Sequence, residues 1–257
     1  MAILKTSAEI ELMAEGGRRL AKILATLKNE VKPGLRTRTL EEITLKLIRE
    51  TKAEPAFLNY QPTASSKPYP AALCVSVNDT VVHGLPSNYV LKEGDLVKLD
   101  LGLKYKGFYV DAALTVGLEK ISEKARRLLQ VTERALELAV SRSYPGKRLG
   151  DIGQVIQNFV ERNKFSIIKT LTGHGVGRSL HEEPTVLNFG SMGSGAKLEV
   201  GMVLAIEPMV SMSPPPKGEK VLQREDDSFV TRDGSLSAHF EHTVAITEAG
   251  PRILTKI

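Results

Sequence analysis

Two aspartates, two glutamates and a histidine carry the side chains from which this sequence could build a reactive centre: Asp100, Asp111, His174, Glu207 and Glu241. Asp100 and Asp111 lie in the stretch Val97 to Val116, where two alternating β-branched and aromatic runs flank Lys104-Tyr105-Lys106-Gly107. That pattern reads as a β-hairpin with a short glycine-containing loop. Pairing Leu103 with Phe108 sets Leu101 against Val110, Leu99 against Ala112 and Val97 against Leu114 on one apolar face. On the other face it places Asp100 directly opposite Asp111. Side chains so paired have Cβ atoms roughly 4.5–5.5 Å apart, and like charges there are destabilising. Two carboxylates tolerate such a place if they share a proton or a cation. Two solvated aspartates on a surface hairpin would leave the same sequence pattern.

Glu207 ends one apolar strand and Glu241 sits within another, with Ile206 and Phe240 pointing the other way. An acid inside an apolar strand is costly to bury unless it is paired or bound to metal. His174 stands in a glycine-rich stretch that can approach a ligand closely. These five residues would suit two adjacent divalent ions, held about 3.5–4 Å apart by carboxylate bridging. Oxygen-rich ligation with one imidazole favours Mn²⁺, Fe²⁺, Co²⁺ or Zn²⁺ over an all-oxygen Mg²⁺ or Ca²⁺ cage.

The elements that must position these residues read as follows. Thr6 and Glu9 form a capping box ahead of an amphipathic helix, Ile10 to Leu27, and Thr39 and Glu42 form a second one opening a helix to about Thr51. An irregular Pro-rich passage, Pro55 to Pro70, precedes strands at 73–77 and 80–83 and then the hairpin. Ser122 caps a helical run to about Val140, and Leu149 to Asn163 is another. Strands follow at 167–171, 202–207, 229–232 and 238–247, while Gly173, Gly175 and Gly177 argue against a helix around His174. Two halves emerge, each laying helices on antiparallel sheet. The phrases Leu91-Lys92-Glu93-Gly94-Asp95 and Leu198-Glu199-Val200-Gly201 echo one another weakly between them. No linker is visible, so residues 1–257 are expected to form one catalytic domain.

With 42% hydrophobic residues in 257, the chain can bury a substantial core. No transmembrane span or secretory signal is seen, so no membrane partner is expected. The single cysteine, Cys74, excludes an internal disulfide and fits a reducing cytoplasm. A net charge of +5, spread along the chain, permits proximity to the ribosome without arguing for a specific nucleic-acid partner. The expected state is a monomer.

Val82-His83-Gly84-Leu85-Pro86, the two aspartates, Gly173-His174-Gly175-Val176-Gly177 with His181-Glu182-Glu183-Pro184, Ile206-Glu207-Pro208-Met209 and Ser237-Ala238-His239-Phe240-Glu241-His242-Thr243 together resemble the type I methionine aminopeptidases. The resemblance spans nearly the whole chain, in order. It implies a pita-bread fold of the α+β class: two pseudo-symmetric halves, helices packed on antiparallel sheet, around a dinuclear metal site. It further implies removal of N-terminal methionine from peptides and nascent chains with a small second residue. Asp111 and Glu241 would bridge the metals, Asp100 would complete one site, and His174 and Glu207 the other. His181 would hydrogen-bond the oxygen of the scissile peptide, and His83 would contact the substrate backbone or the leaving amine. Glu207 would serve as general base. Tyr69 and Cys74 would line the methionine pocket. His239 and His242 read as satisfied structural histidines, His242 facing away from Glu241. Beginning Met1-Ala2, the chain would be a substrate of its own activity.

Three departures touch the pocket wall. The family's short Tyr-x-Gly-Tyr-Pro passage is stretched to Tyr60 through Pro70, the aromatic often preceding the second histidine is Leu180, and the tryptophan often found before the last strand is missing, with Asp227-Ser228-Phe229 in that region. Xaa-Pro aminopeptidases and prolidases share the fold but usually carry a further N-terminal domain. A catalytically dead pita-bread binding protein would have lost its ligands, and an RNA-binding domain would need an aromatic and basic stacking surface.

Overall fold

The computed structural model describes residues 2–61, 63 and 67–256. Met1, Ile257 and, within the stretched passage, residues 62 and 64–66 lie outside them.

Helix α1 spans Ser7–Glu30. Its capping box is formed as expected: Thr6 Oγ1 accepts from the Glu9 amide, and the Glu9 carboxylate accepts from the Thr6 amide at 2.8 Å. Helix α2, Thr37–Glu50, opens two residues before the expected box and has no side-chain cap. Thr37 Oγ1 instead donates to Ser87 O at 3.1 Å, and Glu41 reaches out of the helix to accept from the amides of Ala72 and Leu73 at 2.8 and 2.9 Å. Tertiary bonds to the neighbouring loop thus replace the local cap.

The first sheet contains β1 (Glu54–Pro55), β2 (Leu73–Val77), β4 (Leu96–Tyr105) and β5 (Phe108–Gly117), with β4 between β2 and β5. Strand β3 (Thr80–Val82) joins a separate sheet with two later strands, Val221–Gln223 and Phe229–Thr231. The β4–β5 hairpin turns on Lys106 and Gly107 alone, with φ of +48° and +86°. Positive φ at both positions is the type I′ geometry that matches strand twist. Its register therefore differs by two residues from the expected one: Leu103 faces Val110 and Tyr105 faces Phe108. The apolar face survives, because a two-residue shift preserves the strand's alternation. The aspartates, however, are diagonal rather than opposed, with Asp100 across from Ala113 and Asp111 across from Gly102.

Helices α3 (Glu123–Val140) and α4 (Leu149–Arg162) open the second half, and Ser122 caps α3 by accepting from the Ala125 amide. Of the expected strand at 167–171 only Ile167 is in a strand, the short β6 (Ser166–Ile167). Then come β7 (Gly173–Gly175), β8 (Glu182–Val186), β9 (Val203–Ile206) and β10 (Met209–Ser211). A single 3₁₀ turn, Lys217–Glu219, precedes β11 (Val221–Gln223) and β12 (Phe229–Thr231). The strand expected over 238–247 is broken into β13 (Ser237–His239) and β14 (His242–Thr247), and β15 (Gly250–Ile253) ends the sheet β15-β14-β9-β7-β8. One core cluster joins α1 and α2 to β2, β4 and β5 through residues such as Met13, Leu20, Leu99 and Leu101. Another joins α3 and α4 to β9 and β14 through Leu128, Ile152, Leu204 and Val244. Among the described residues no helix is long and apolar enough to cross a membrane.

Candidate metal centre

Along β5 the first sheet meets β13 and β14, which belong to two different sheets. Thr115 Oγ1 donates to His239 O at 2.7 Å and accepts from the His239 amide at 2.9 Å. Two residues on, the Glu241 amide donates to Ala113 O at 2.9 Å. Two further on, the Asp111 amide donates to Thr243 Oγ1 and that hydroxyl donates to Asp111 O, both at 2.8 Å. Two threonine hydroxyls thus complete, at either end, a ladder that one backbone bond holds in the middle. Its register delivers Asp111 and Glu241 to the same place. Glu241 does not sit within a strand, as expected, but in the break between β13 and β14.

His174 arrives from β7, paired with β9 opposite Ala205. A Cβ at Gly173 would lie 2.3 Å from Ala205 O, and one at Gly175 2.4 Å from Glu183 O, so the flanking glycines are what let this strand enter. His174 Nδ1–H donates to Gly175 O at 2.9 Å. This arrangement fixes the neutral tautomer and leaves Nε2 free, the usual device for orienting an imidazole ligand. Burial lowers the pKa of His174, which keeps it neutral. Glu207 follows β9, where Pro208 interrupts the strand, and its Oε1 lies 3.6 Å from His174 Nε2.

The structure brings Asp111, His174 and Glu241 within ligand reach of one another, and Glu207 and His239 within reach of Glu241. Asp100, on β4 and 8% exposed, completes the acidic group. Burial, then the neighbouring carboxyls, raises Asp100, Glu207 and Glu241 well above the ordinary carboxylate range, and burial pushes Asp111 up to about 7. Asp100 Oδ1, Asp111 Oδ1 and Glu241 Oε1 are buried with no hydrogen-bond partner. Buried carboxylate oxygens left unpaired are costly, and cations are what such a set can hold. The residues present therefore fit divalent metal.

His239 departs from its structural reading. Its ring is 1% exposed, neither nitrogen is hydrogen-bonded, and Nε2 lies 3.4 Å from Glu207 Oε2. His242 keeps the expected role, with Nδ1 3.0 Å from Thr255 Oγ1.

His181 and His83 stand at the open side of this group. The His181 ring packs edge-on against His174 at 4.3 Å between centroids, and His83 against Phe229 at 5.6 Å. Desolvation, then the His174 and His83 rings, lowers the pKa of His181, which favours its neutral form. Beside them Phe57, Cys74 and Leu180 form a small apolar cluster, with Tyr60, Tyr69 and Tyr109 against it. Tyr69 Oη donates to Gly84 O at 3.1 Å, which ties this cluster to the loop after His83. Leu180 occupies the aromatic's place as a buried apolar residue, 2% exposed. Sequence reasoning missed Thr115, Thr243, Tyr60 and the inward turn of His239. Threonines spaced for one face of their strands were the available signal.

An antiparallel α+β scaffold closing buried carboxylates and a neutral histidine around a metal-sized gap defines a metallopeptidase of the pita-bread kind. The chain belongs to metallopeptidase family M24, whose model matches residues 11–248. Along its whole length it is similar to methionine aminopeptidases. That of Clostridium perfringens is 45% identical over 259 residues, covering 100% of both chains, and that of Aquifex aeolicus 45% identical over 261 residues, again covering 100% of both. The crystal structure of the methionine aminopeptidase of Thermotoga maritima matches with a TM-score of 0.93 at 42% identity, covering 100% of both chains.

Proposed function

We propose that the whole chain is one catalytic domain that removes N-terminal methionine from peptides and nascent proteins, using two divalent ions held by Asp100, Asp111, His174, Glu207 and Glu241. Asp111 and Glu241, which the ladder aligns, would be the carboxylates shared between the ions. The observation that carries the reading is the set of unpartnered buried carboxyl oxygens beside an apolar cluster that includes Cys74, Leu180 and Tyr69. Cys74 is buried and its thiol is pushed up by burial and then by Asp100, so it serves as apolar lining rather than as a nucleophile.

When bound, the ions supply Lewis acidity that polarises a peptide carbonyl and activates water at neutral pH. Glu207, ionised when it helps hold the ions, would take a proton from the attacking water. His181, neutral, donates to the carbonyl oxygen as charge develops there. His83 contacts the backbone beyond the scissile bond. Which of Co²⁺, Mn²⁺, Fe²⁺ or Zn²⁺ serves in the cell is set by availability as much as by this ligand set.

Hydrolysis of Met-Ala-Ser against Ala-Pro-Ala by protein reconstituted with each metal tests the reading. Release of methionine, with the proline peptide untouched, is expected. Preferential cleavage before proline would move the chain to the prolyl-specific branch of the fold.

A further inference from the structure

Tyr60 Oη lies 2.6 Å from His181 Nδ1, and the two rings meet edge-on at 5.1 Å and 72°. We propose that Tyr60 is a positioning residue that holds His181 in the Nε2–H tautomer, so that the imidazole offers a donor to the carbonyl oxygen of the peptide being cut. The proposal rests on the role given to His181 above and names the group that enforces it.

Three observations support it. A neutral imidazole has one donor and one acceptor nitrogen, and the hydrogen bond at one nitrogen decides the state of the other. A phenol is a stronger acid than a neutral imidazole N–H, so in a short O···N contact the phenol donates and Nδ1 accepts. Burial raises the Tyr60 pKa further, which keeps that proton in place.

Next, the backbone on both sides is held. The Tyr60 amide donates to Phe57 O at 2.8 Å, Asn59 N donates to Tyr69 O at 2.8 Å, and Tyr69 N donates to Tyr60 O at 3.0 Å. Tyr60 therefore stands at the neck of the stretched passage. On the other side, Glu182 Oε1 accepts from the amides of Arg178 and Ser179 at 2.6 and 3.0 Å, while Lys5 pairs with its other oxygen. With the chain pinned at Glu182, the main freedom left to His181 is rotation of its ring.

Finally, the arrangement mirrors the one at His174. There Nδ1–H donates to a carbonyl and leaves Nε2 bare; at His181 the phenol reverses the polarity and leaves Nε2 protonated. Two adjacent histidines, 4.3 Å apart, are thus set to opposite tautomers by their partners, one suited to a cation and the other to an oxygen.

The test uses Zn²⁺-loaded protein with ring-¹⁵N histidine, and long-range ¹H–¹⁵N correlation identifies His181 by comparison with His181→Gln. The wild-type ring should show a protonated Nε2 and a bare, hydrogen-bonded Nδ1. Tyr60→Phe removes one oxygen from a half-buried ring. It should abolish the Nδ1 hydrogen-bond shift and admit the second tautomer. It should also lower kcat on Met-Ala-Ser by roughly 3- to 10-fold with KM nearly unchanged, the share of one neutral hydrogen bond. That is well short of the roughly 10²–10³ expected for losing the donor itself. A wild-type ring protonated on Nδ1 would overturn the proposal. So would a Tyr60→Phe spectrum and kcat like those of the parent, or a loss confined to KM. The spectrum decides even if methionine is not the residue released, so failure here and failure of the functional reading are told apart.

Discussion

Asp111 and Thr243 exchange two hydrogen bonds, amide to hydroxyl and hydroxyl to carbonyl, each 2.8 Å long and both buried. The exchange involves the main chain of the aspartate and leaves its carboxylate free. One threonine thus docks the sheet of the first half on that of the second without using the group the site needs. Its replacement by valine keeps the shape and deletes both bonds, leaving a buried N–H and C=O unpaired. Thr243→Val should cost roughly 1–3 kcal/mol in urea unfolding and weaken metal binding, because Asp111 is no longer aligned with Glu241. Thr243→Ser should recover most of both. A valine variant as stable and as metal-avid as the parent would refute the docking role.

The paired aspartates make a second prediction. If Asp111 bridges and Asp100 does not, Asp111→Ala should abolish binding of both ions and Asp100→Ala should mainly weaken one. Neither change touches the main-chain ladder, so the fold should persist, with thermal unfolding as the control. Calorimetric titration reads the stoichiometry directly, and equal losses for the two variants would reverse the assignment.

Much of this centre was legible in the sequence because it rests on types and alternation. Acids set in apolar strands announced Glu207 and Glu241, and alternation placed Asp100 and Asp111 on one face. Periodicity of two cannot distinguish a register from one shifted by two residues, however. The Lys106-Gly107 turn, where lysine takes a positive φ, lacks the Asn-Gly signature that would have fixed it. The second capping box, Thr39 with Glu42, failed for a different reason: α2 already opens at Thr37, where Thr37 and Glu41 bond to Ser87, Ala72 and Leu73, all distant in sequence, so Thr39 lies inside the helix. Likewise nothing local in Ala238 to Thr247 shows that the strand breaks at Phe240 and Glu241. The break lies opposite Glu207 and Pro208, where the pairing passes from β10 with β13 (Met209 opposite His239) to β9 with β14 (Ile206 opposite His242). Tyr60 and Tyr69 read as separated by the stretched passage, yet backbone bonds bring them together.

Metal removal should make stability respond to pH in a particular sense. Burial raises the Asp111 carboxyl from its ordinary value to about 7, so its neutral form favours the folded, metal-free chain. That contribution is fully present below the unfolded value, about 4, and is lost as pH rises through about 7. The other buried carboxyls shift in the same direction. Bound cations reverse the effect, since they need the ionised form. The gain in Tm on adding metal to the chelated protein should therefore be larger at pH 7.5 than at pH 5.5, and binding at the lower pH should release more protons. Because the comparison is between loaded and metal-free protein, titrating groups remote from the site largely cancel. A gain independent of pH would mean that these carboxyls do not meet the ions.

The last prediction concerns the residue after the one removed. With the scissile bond at the carboxylate cluster, as proposed above, His83 and His181 would flank the space just beyond it; Phe229 packs against His83 and Tyr60 against His181. A small second side chain (Gly, Ala or Ser) leaves the peptide carbonyl free to approach the carboxylate cluster and its ions. Leucine, lysine or phenylalanine there would press on one of the two rings and push the carbonyl back, and a displacement of about 1 Å can cost roughly a hundredfold in rate. On Met-Xaa-Ser peptides with Xaa as Ala, Val, Leu and Lys, kcat/KM should fall steeply with side-chain size. The fall should appear in kcat as well as KM, since what is lost is alignment at the reacting bond. His83→Ala should flatten the profile by opening one wall, at the expense of rate on the alanine peptide. A profile flat in the parent enzyme would show that this space is wider than the two rings define.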